Sequence, residues 1–295
     1  HIMLCYTPDM LIGIEASRAN KSVKTGVEWY AWHVINELKK LTDSDGHSWL
    51  LFAHEMLRGE LGKMPANWFE RRLAWPLPYG WTQFRLSWEM WRHPPDVLFM
   101  PCSTLPRMTP KNTVVTLHDI GFHHYPQLYK PRQVVIHERA MREAAKRAMR
   151  IITVSEFSAR EISEAYGIPR DRIFVTYNGL DHTLYRPLAD LNVIQERLTR
   201  YQIPTPFFLV IGRLEAKKNL VTLIKAFNHY KYLQGIGDPH RLVFVGVPGY
   251  RYDEVKRAIA ESPVRSHILE LGYVPELDLP PLLNAAEALI HPSWY

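Results

Sequence analysis

The chain has only two cysteines, Cys5 and Cys102, in 295 residues. Two thiols make no disulfide framework and read as a reducing, cytosolic setting. No apolar run reaches the ~20 residues that span a bilayer, and no secretory signal opens the chain. His1-Ile2-Met3 reads as a cloning remnant ahead of a start methionine. There is no G-x-x-x-x-G-K-[ST] stretch and no G-x-G-x-x-G after a strand, which excludes a P-loop nucleotidase and the usual dehydrogenase fingerprint. Gly235-Ile236-Gly237, in a polar loop, is a poor substitute. Apolar residues at 46% and charged residues at 22% exclude a disordered or collagen-like chain.

What is present is a modest basic excess and many aromatics. The formal charge is +6, of which +5 falls in residues 1–201. That excess suits a phosphate, a nucleic acid or an anionic membrane face without choosing among them. Nine tryptophans are unusually many.

Apolar runs and helical periods alternate, which predicts an α/β chain with parallel sheets and helices on both faces. In the first part, strands are expected at 11–16, 48–53, 72–77, 96–100, 113–117, 150–154 and 172–176. Helices are expected from Gly26, over 80–92 and over 132–149. Ser158-Ala159-Arg160-Glu161 reads as a capping box opening another helix. Residues 188–206, with a polar helix and two prolines, read as the linker. Two domains follow from this, 1–201 and 202–295. The second has strands at 207–211, 241–245, 267–271 and 288–291, with helices over 219–233, 253–261 and 279–286. It is small, and its last strand has no helix after it; parallel sheets are usually covered on both sides. The second domain is therefore expected to be incomplete.

Three loops could carry chemistry. Gly212-Arg213-Leu214-Glu215-Ala216-Lys217-Lys218-Asn219 follows a strand and opens a helix with Asn219 at its N-cap. Arg213 and Lys218 there, with the free N–H groups of the helix, form a cradle for a diphosphate. Thr116-Leu117-His118-Asp119 ends a buried strand and puts His118 at the carboxyl edge of a sheet, where it can hydrogen-bond a ligand or move a proton. A structural pairing of His118 with Asp119 is the alternative. Lys24-Thr25-Gly26-Val27-Glu28 is a loop-to-helix junction whose Gly26 lets backbone approach a phosphate; a simple helix start is the alternative. His123 and His124 stand near His118 but at a spacing that fits no helix face for a metal. Asp43-Ser44-Asp45 mimics a metal-binding D-x-D and reads as turn chemistry.

Together these stretches resemble glycosyltransferase family 4, the retaining, GT-B-fold enzymes that use nucleotide sugars. The resemblance rests on Ile152-Thr153-Val154-Ser155-Glu156-Phe157-Ser158, Val175-Thr176-Tyr177-Asn178-Gly179-Leu180-Asp181 with Arg186-Pro187, Phe208 to Arg213 with Lys218-Asn219, Leu271-Gly272-Tyr273-Val274, and Ala288-Leu289-Ile290-His291-Pro292-Ser293. It implies two Rossmann-like parallel-sheet domains, a donor held mostly by the second and an acceptor by the first. It implies that Arg213, Lys218 and Gly26 bind the donor phosphates, that His118 is catalytic beside the donor sugar, and that backbone near Val274 receives the nucleobase. Where the family loop often carries two glycines, Thr25 takes the first place. The family's Glu-x7-Glu motif would begin just beyond Tyr295, so the chain by itself is expected to be inactive.

The implied reaction moves a hexose from a nucleotide diphosphate sugar, GDP-mannose being one candidate, to a glycan or lipid-linked acceptor, with retention. It needs no cofactor and no metal, and no nucleic-acid partner is expected. A non-catalytic nucleotide-sugar or glycan-binding module is the alternative, and an epimerase or phosphorylase on a similar scaffold a third. The implied location is cytoplasmic, with peripheral contact at an anionic membrane's inner face as an option. The basic helix following Lys130 can read anionic lipid or be a solvated face. Trp81, Phe84, Trp88 and Trp91 share one helical face. Packing into the core is the expectation for that face, with a membrane interface or sugar stacking as alternatives.

Overall fold

The computed structural model describes residues 9–42, 45–235 and 237–295. Cys5, the His1-Ile2-Met3 stretch, Asp43, Ser44 and Ile236 lie outside the described residues. The contacts divide the chain into two compact units, one of residues 1–124 and 132–178, the other of 125–131 and 179–295.

The first unit is built in the order β1 (Leu11–Glu15), α1 (Gly26–Leu41), β2 (Ser48–Ala53), β3 (Trp68–Arg72), α2 (Ser87–Arg92), β4 (Val97–Met100), β5 (Thr113–Thr116), α3 (Gly121–His124), α4 (Pro131–Arg147), β6 (Arg150–Thr153), α5 (Glu156–Tyr166) and β7 (Ile173–Val175). Its seven strands are parallel, in the order β3-β2-β1-β4-β5-β6-β7. The order reverses between β1 and β4, and the carboxyl ends of these strands frame the crevice where α/β sheets bind ligands. Ile14, Leu51 and Ala53 of the sheet pack with Ala31 and Ile35 of α1. Trp49 and Trp68, in register on β2 and β3, stack with ring centroids 4.8 Å apart. This stack is why β3 starts at Trp68 and not at the expected Arg72: indole packing outweighs the proline-broken run 73–78, and pairing ends where the Leu73 N–H meets the Ala53 carbonyl.

Two other local expectations shift. Helix α5 begins at Glu156, capped by Ser155, whose Oγ accepts from the Ser158 N–H at 3.0 Å. Glu161, the expected capping partner, instead pairs with His124. The segment expected as one helix over 80–92 opens with a π-turn over Thr82–Leu86, in which the Leu86 N–H reaches the Trp81 carbonyl five residues back. A π-turn advances the side chains by fewer degrees per residue than an α-turn, so it separates Trp81 from the residues after it. Trp81 turns inward, while Phe84, Trp88 and Trp91 are 51%, 59% and 56% exposed. The core-packing expectation therefore holds for Trp81 alone.

The second unit continues with α6 (Leu191–Arg200), β8 (Phe207–Ile211), α7 (Leu220–Gln234), β9 (Arg241–Val245), α8 (Tyr252–Ala260), β10 (Ile268–Gly272), α9 (Leu279–Ala285) and β11 (Ala288–Leu289). The sheet is parallel, in the order β10-β9-β8-β11. Alternate residues feed two cores. Val210, Leu242 and Phe244 pack with α7 and α8, and Phe207, Leu209 and Val243 pack with α6 and α9. Sequence composition puts the domain boundary at 201/202, whereas the contacts place it at 178/179. The reason is α6: Arg197, Arg200 and Tyr201 all bind the buried Asp278 carboxylate, at 2.7, 3.2 and 2.5 Å. What reads as a linker is one wall of the second core.

Candidate active site

In the second unit the strand order reverses between β8 and β11. Arg213 and Lys218 leave β8 on one side of this point, and His291 leaves β11 on the other. Val210 to Arg213, Lys218, Leu220 and His291 to Ser293 line one shared pocket. Its water-accessible volume is about 10 Å³, room for about one water molecule.

The loop that carries Arg213 is held by backbone. The Gly212 N–H donates to the Val245 carbonyl at 2.9 Å, Leu214 to Val247 at 3.0 Å and Ala216 to Tyr250 at 3.0 Å, while Gly249 donates back to Leu214 at 2.9 Å. The sheet ladder thus continues past the strand ends and joins the β8 and β9 loops. Such close approach needs glycine: a Cβ on Gly249 would stand 2.7 Å from the Cβ of Glu215 and 3.4 Å from Arg213 Nε. Asn219 does precede α7, but in the left-handed region, at φ 55°, and its side chain makes no capping bond. Asparagine tolerates that conformation better than most residues. A short 3₁₀ turn over Ala216–Lys218 brings Lys218 round to the pocket.

Lys218 Nζ lies 3.5 Å from His291 Nε2, which is also 3.0 Å from Ser293 Oγ. Burial, and then the Lys218 charge, push the His291 pKa down, so a neutral imidazole faces the ammonium at neutral pH. His291 sits in a stretch the sequence reading singles out without giving it a role. Val274 lies beyond β10 and is 4% exposed, its side chain packed with Phe207 and Leu209. It does not line the pocket of Arg213 and Lys218.

In the first unit, Gly26 is the exposed first residue of α1, with nothing within 4 Å of where a Cβ would stand. The helix start is fixed instead by Glu28, which accepts from the Thr25 N–H at 3.1 Å and from the Thr25 hydroxyl. Lys21 Nζ adds a contact to Glu28 at 3.0 Å. Burial raises the Glu28 pKa, but these hydrogen bonds and the Lys21 charge outweigh it and hold the carboxyl at about 2.

One turn along α1 from Gly26, Tyr30 meets His118 edge-on, ring centroids 4.6 Å apart. His118 Nε2 lies 3.3 Å from the Pro101 carbonyl. A carbonyl only accepts, so Nε2 carries the proton and Nδ1 is an acceptor in the neutral ring. Burial lowers the His118 pKa, partly offset by the Pro101 carbonyl and the Asp119 charge. Asp119 makes its hydrogen bond to the Gly121 N–H at 3.1 Å rather than to His118. His123 and His124 are each tied to a carboxylate, Glu138 and Glu161. Among the described residues no three His, Cys, Asp or Glu side chains gather to hold a metal ion. Asp45 accepts from the His47 N–H at 3.0 Å, a turn contact.

Sequence reasoning missed the buried pair flanking the strand reversal. Glu15 ends β1 at 4% exposure and accepts from the Ser17 N–H at 2.8 Å. Burial raises its pKa. Cys102, after β4, is 4% exposed, and burial followed by the Glu15 charge pushes its thiol up to about 12. A single acidic residue at a strand end carries no sequence signal of this.

The family profile described as Glycosyltransferase Family 4 matches residues 24–184, more than half the chain, and the one described as Glycosyl transferases group 1 matches residues 200–295. The chain belongs to glycosyltransferase family 4. This family 4 chain is 30% identical over 187 residues to the O-antigen chain mannosyltransferase B of Escherichia coli, covering 63% of the chain and 48% of that protein. It spans less than half the length of the curated relatives it matches. Among solved structures, Anabaena HepE in complex with UDP and glucose superposes with a TM-score of 0.65 at 18% identity, covering 96% of this chain and 74% of that one. Sucrose-phosphate synthase from Thermosynechococcus elongatus gives 0.68 at 13% identity, covering 97% and 76%. At such identities these likenesses establish the fold, the two parallel-sheet units of GT-B glycosyltransferases.

Proposed function

We propose that this chain carries the donor-binding machinery of a retaining glycosyltransferase that moves a hexose from a nucleotide diphosphate sugar to a glycan or lipid-linked acceptor. The observation that carries the reading is the convergence of Arg213 and Lys218 at the strand reversal of the second sheet, at the opening of α7. Breaking a glycosyl–phosphate bond builds negative charge on the leaving diphosphate and positive charge on the sugar ring. Two cations and the N–H groups of a helix start stabilise the former where it develops. The same reading assigns Gly26 to the donor phosphates, backbone near Val274 to the nucleobase, and His118 to the donor sugar. With Nε2 held by Pro101, His118 offers Nδ1 as acceptor to a sugar hydroxyl. Retention with front-face attack, without a protein–sugar bond, is part of the proposal, as is charge stabilisation without a metal. The E. coli mannosyltransferase relative favours mannose, hence GDP-mannose, as the donor.

Calorimetric titration with GDP and with UDP tests this directly. GDP should bind, and Arg213→Ala should weaken it by roughly 10- to 100-fold, the worth of one or two charge-assisted hydrogen bonds, with the melting temperature unchanged. If neither nucleotide binds better than millimolar, or the variant binds as well as the parent, the cradle assignment is wrong.

A further inference from the structure

We propose that the exposed aromatic groove of the first unit is a docking surface for an anionic phospholipid bilayer. Trp75, Phe84, Trp88, Trp91 and Met108 line a groove of about 680 Å³, together with Arg85 and Arg107 and without any carboxylate. The rings are ordered against one another: Trp75 stacks on Phe84 with centroids 6.1 Å apart, and Trp88 meets Trp91 at 5.0 Å. Next to them, Leu77 and Tyr79 are 53% and 77% exposed. An apolar surface of this extent rimmed by polar groups marks an interaction site.

The outward turn of these rings is built in. Glu89, on the opposite side of the same helix, is 2% exposed and binds Arg71 at 2.5 Å, Arg85 at 3.0 Å and His93 at 3.2 Å. Rotating the aromatics into the core would drag this carboxylate and its partners into solvent. Leu86 and Met90 are buried beside it.

The choice of occupant follows from chemistry. A sugar needs an array of directed hydrogen-bonding groups beside the rings, and the amide and hydroxyl that line this groove, with the Trp75 indole N–H, are turned to backbone carbonyls. The Gln83 amide donates to the Leu105 carbonyl at 2.8 Å, Trp75 Nε1 to the Tyr79 carbonyl at 2.9 Å and the Ser87 hydroxyl to the Thr82 carbonyl at 3.2 Å. What the groove still offers is apolar ring area, the Trp88 and Trp91 indole edges and the positive charge of Arg107, since Arg85 is paired with Glu89. The exposed Arg107 guanidinium lies over the Phe84 ring at 4.7 Å, while the Arg107 backbone N–H donates to Ser87 Oγ at 2.7 Å. Arg147 of α4 clamps the same loop through the Pro106 carbonyl and Thr109 Oγ1. Indole rings beside a fixed cation match the boundary between acyl chains and phosphate headgroups. Charge complementarity therefore favours anionic lipid over a neutral glycan or a second copy of this chain.

The test is co-sedimentation of the chain with phosphatidylcholine vesicles, with and without phosphatidylglycerol, alongside tryptophan emission. Binding should require phosphatidylglycerol and shift the emission to the blue. The double variant Trp88→Ser, Trp91→Ser should weaken it by at least about tenfold, and Arg107→Gln by about fivefold. Both variants alter exposed side chains, so unfolding midpoints should match the parent and separate lost docking from lost fold. Absence of vesicle binding, equal binding to both compositions, or variants that bind like the parent would overturn the proposal. So would an emission change with a soluble oligosaccharide while vesicles leave it unmoved, or a dimer in sedimentation that the Trp variants abolish. The proposal is independent of the phosphate cradle: its failure leaves nucleotide binding at Arg213 untouched.

Discussion

A Cβ added to Gly246 would stand 1.9 Å from the carbonyl oxygen of Gly212. Gly246 has φ 146° and Gly212 φ 140°, both outside the range side-chain-bearing residues favour. These two glycines let the loops after β8 and β9 run backbone against backbone, and Arg213 takes its position from that contact. Gly246→Ala should cost about 2–4 kcal/mol of stability, from the clash and the strained backbone together. Urea unfolding measures the loss, and nucleotide titration of the folded fraction should show weakened binding as well. An alanine variant as stable as the parent would mean that the loops part without cost.

Gly26→Ala should behave in the opposite way. Nothing stands near the new methyl group and the backbone there is ordinary helix. Its unfolding midpoint should equal or slightly exceed that of the parent, because alanine orders a helix more readily than glycine. A loss of donor affinity in such a variant therefore reports ligand contact. Unchanged affinity would return Gly26 to being a helix start only.

His118 should stay neutral at pH 7, because burial lowers its pKa below the usual 6.5. Affinity for the nucleotide sugar is expected to be flat across neutrality and to fall only on acidification, as Nδ1 protonates and ceases to accept. Stability follows the same sign. The unfolded chain binds this proton more readily than the folded one, so the His118 contribution is full above pH 6.5 and shrinks below it. His118→Asn should flatten both profiles, and an unaltered affinity profile would demote the residue to packing.

Glu28 gives a second acid-side signature. Its folded pKa of about 2 lies below the ordinary 4.5. Its stabilising effect is complete above pH 4.5 and is lost as pH falls towards 2. Glu28→Gln should lower the melting temperature at pH 7 and reduce its fall between pH 4.5 and 2. A parallel downward shift at every pH would show that the charge is not what holds the helix start.

Asp278→Ala should destabilise the second unit by about 3 kcal/mol, since it leaves Arg197 and Arg200 without the buried carboxylate that joins α6 to α9. Proteolysis should then cut first within 179–206. Equal resistance in variant and parent would place α6 outside the second core.

Most strands were legible because apolar runs and turn residues are adjacent in the chain. Ser48–Ala53, Phe207–Ile211 and Arg241–Val245 lie where the pattern predicts them. β3 was misplaced because its start is set by a ring stack with Trp49, whose partner strand the pattern does not reveal. α6 was mistaken for linker because its polar face is what the sequence displays, while its partner Asp278 lies some 80 residues away.

The sequence alone determined the alternating α/β order and that Arg213, Lys218, His118 and Gly26 stand on loops or helix starts at strand ends, since periodicity and turn chemistry are local properties. Only the tertiary structure decided that His291 stands beside Lys218, that Glu15 and Cys102 are buried together, and that Trp88 and Trp91 face solvent. Those outcomes depend on which distant strands become neighbours and on a one-residue change of helical phase at the π-turn, neither of which residue-to-residue spacing encodes.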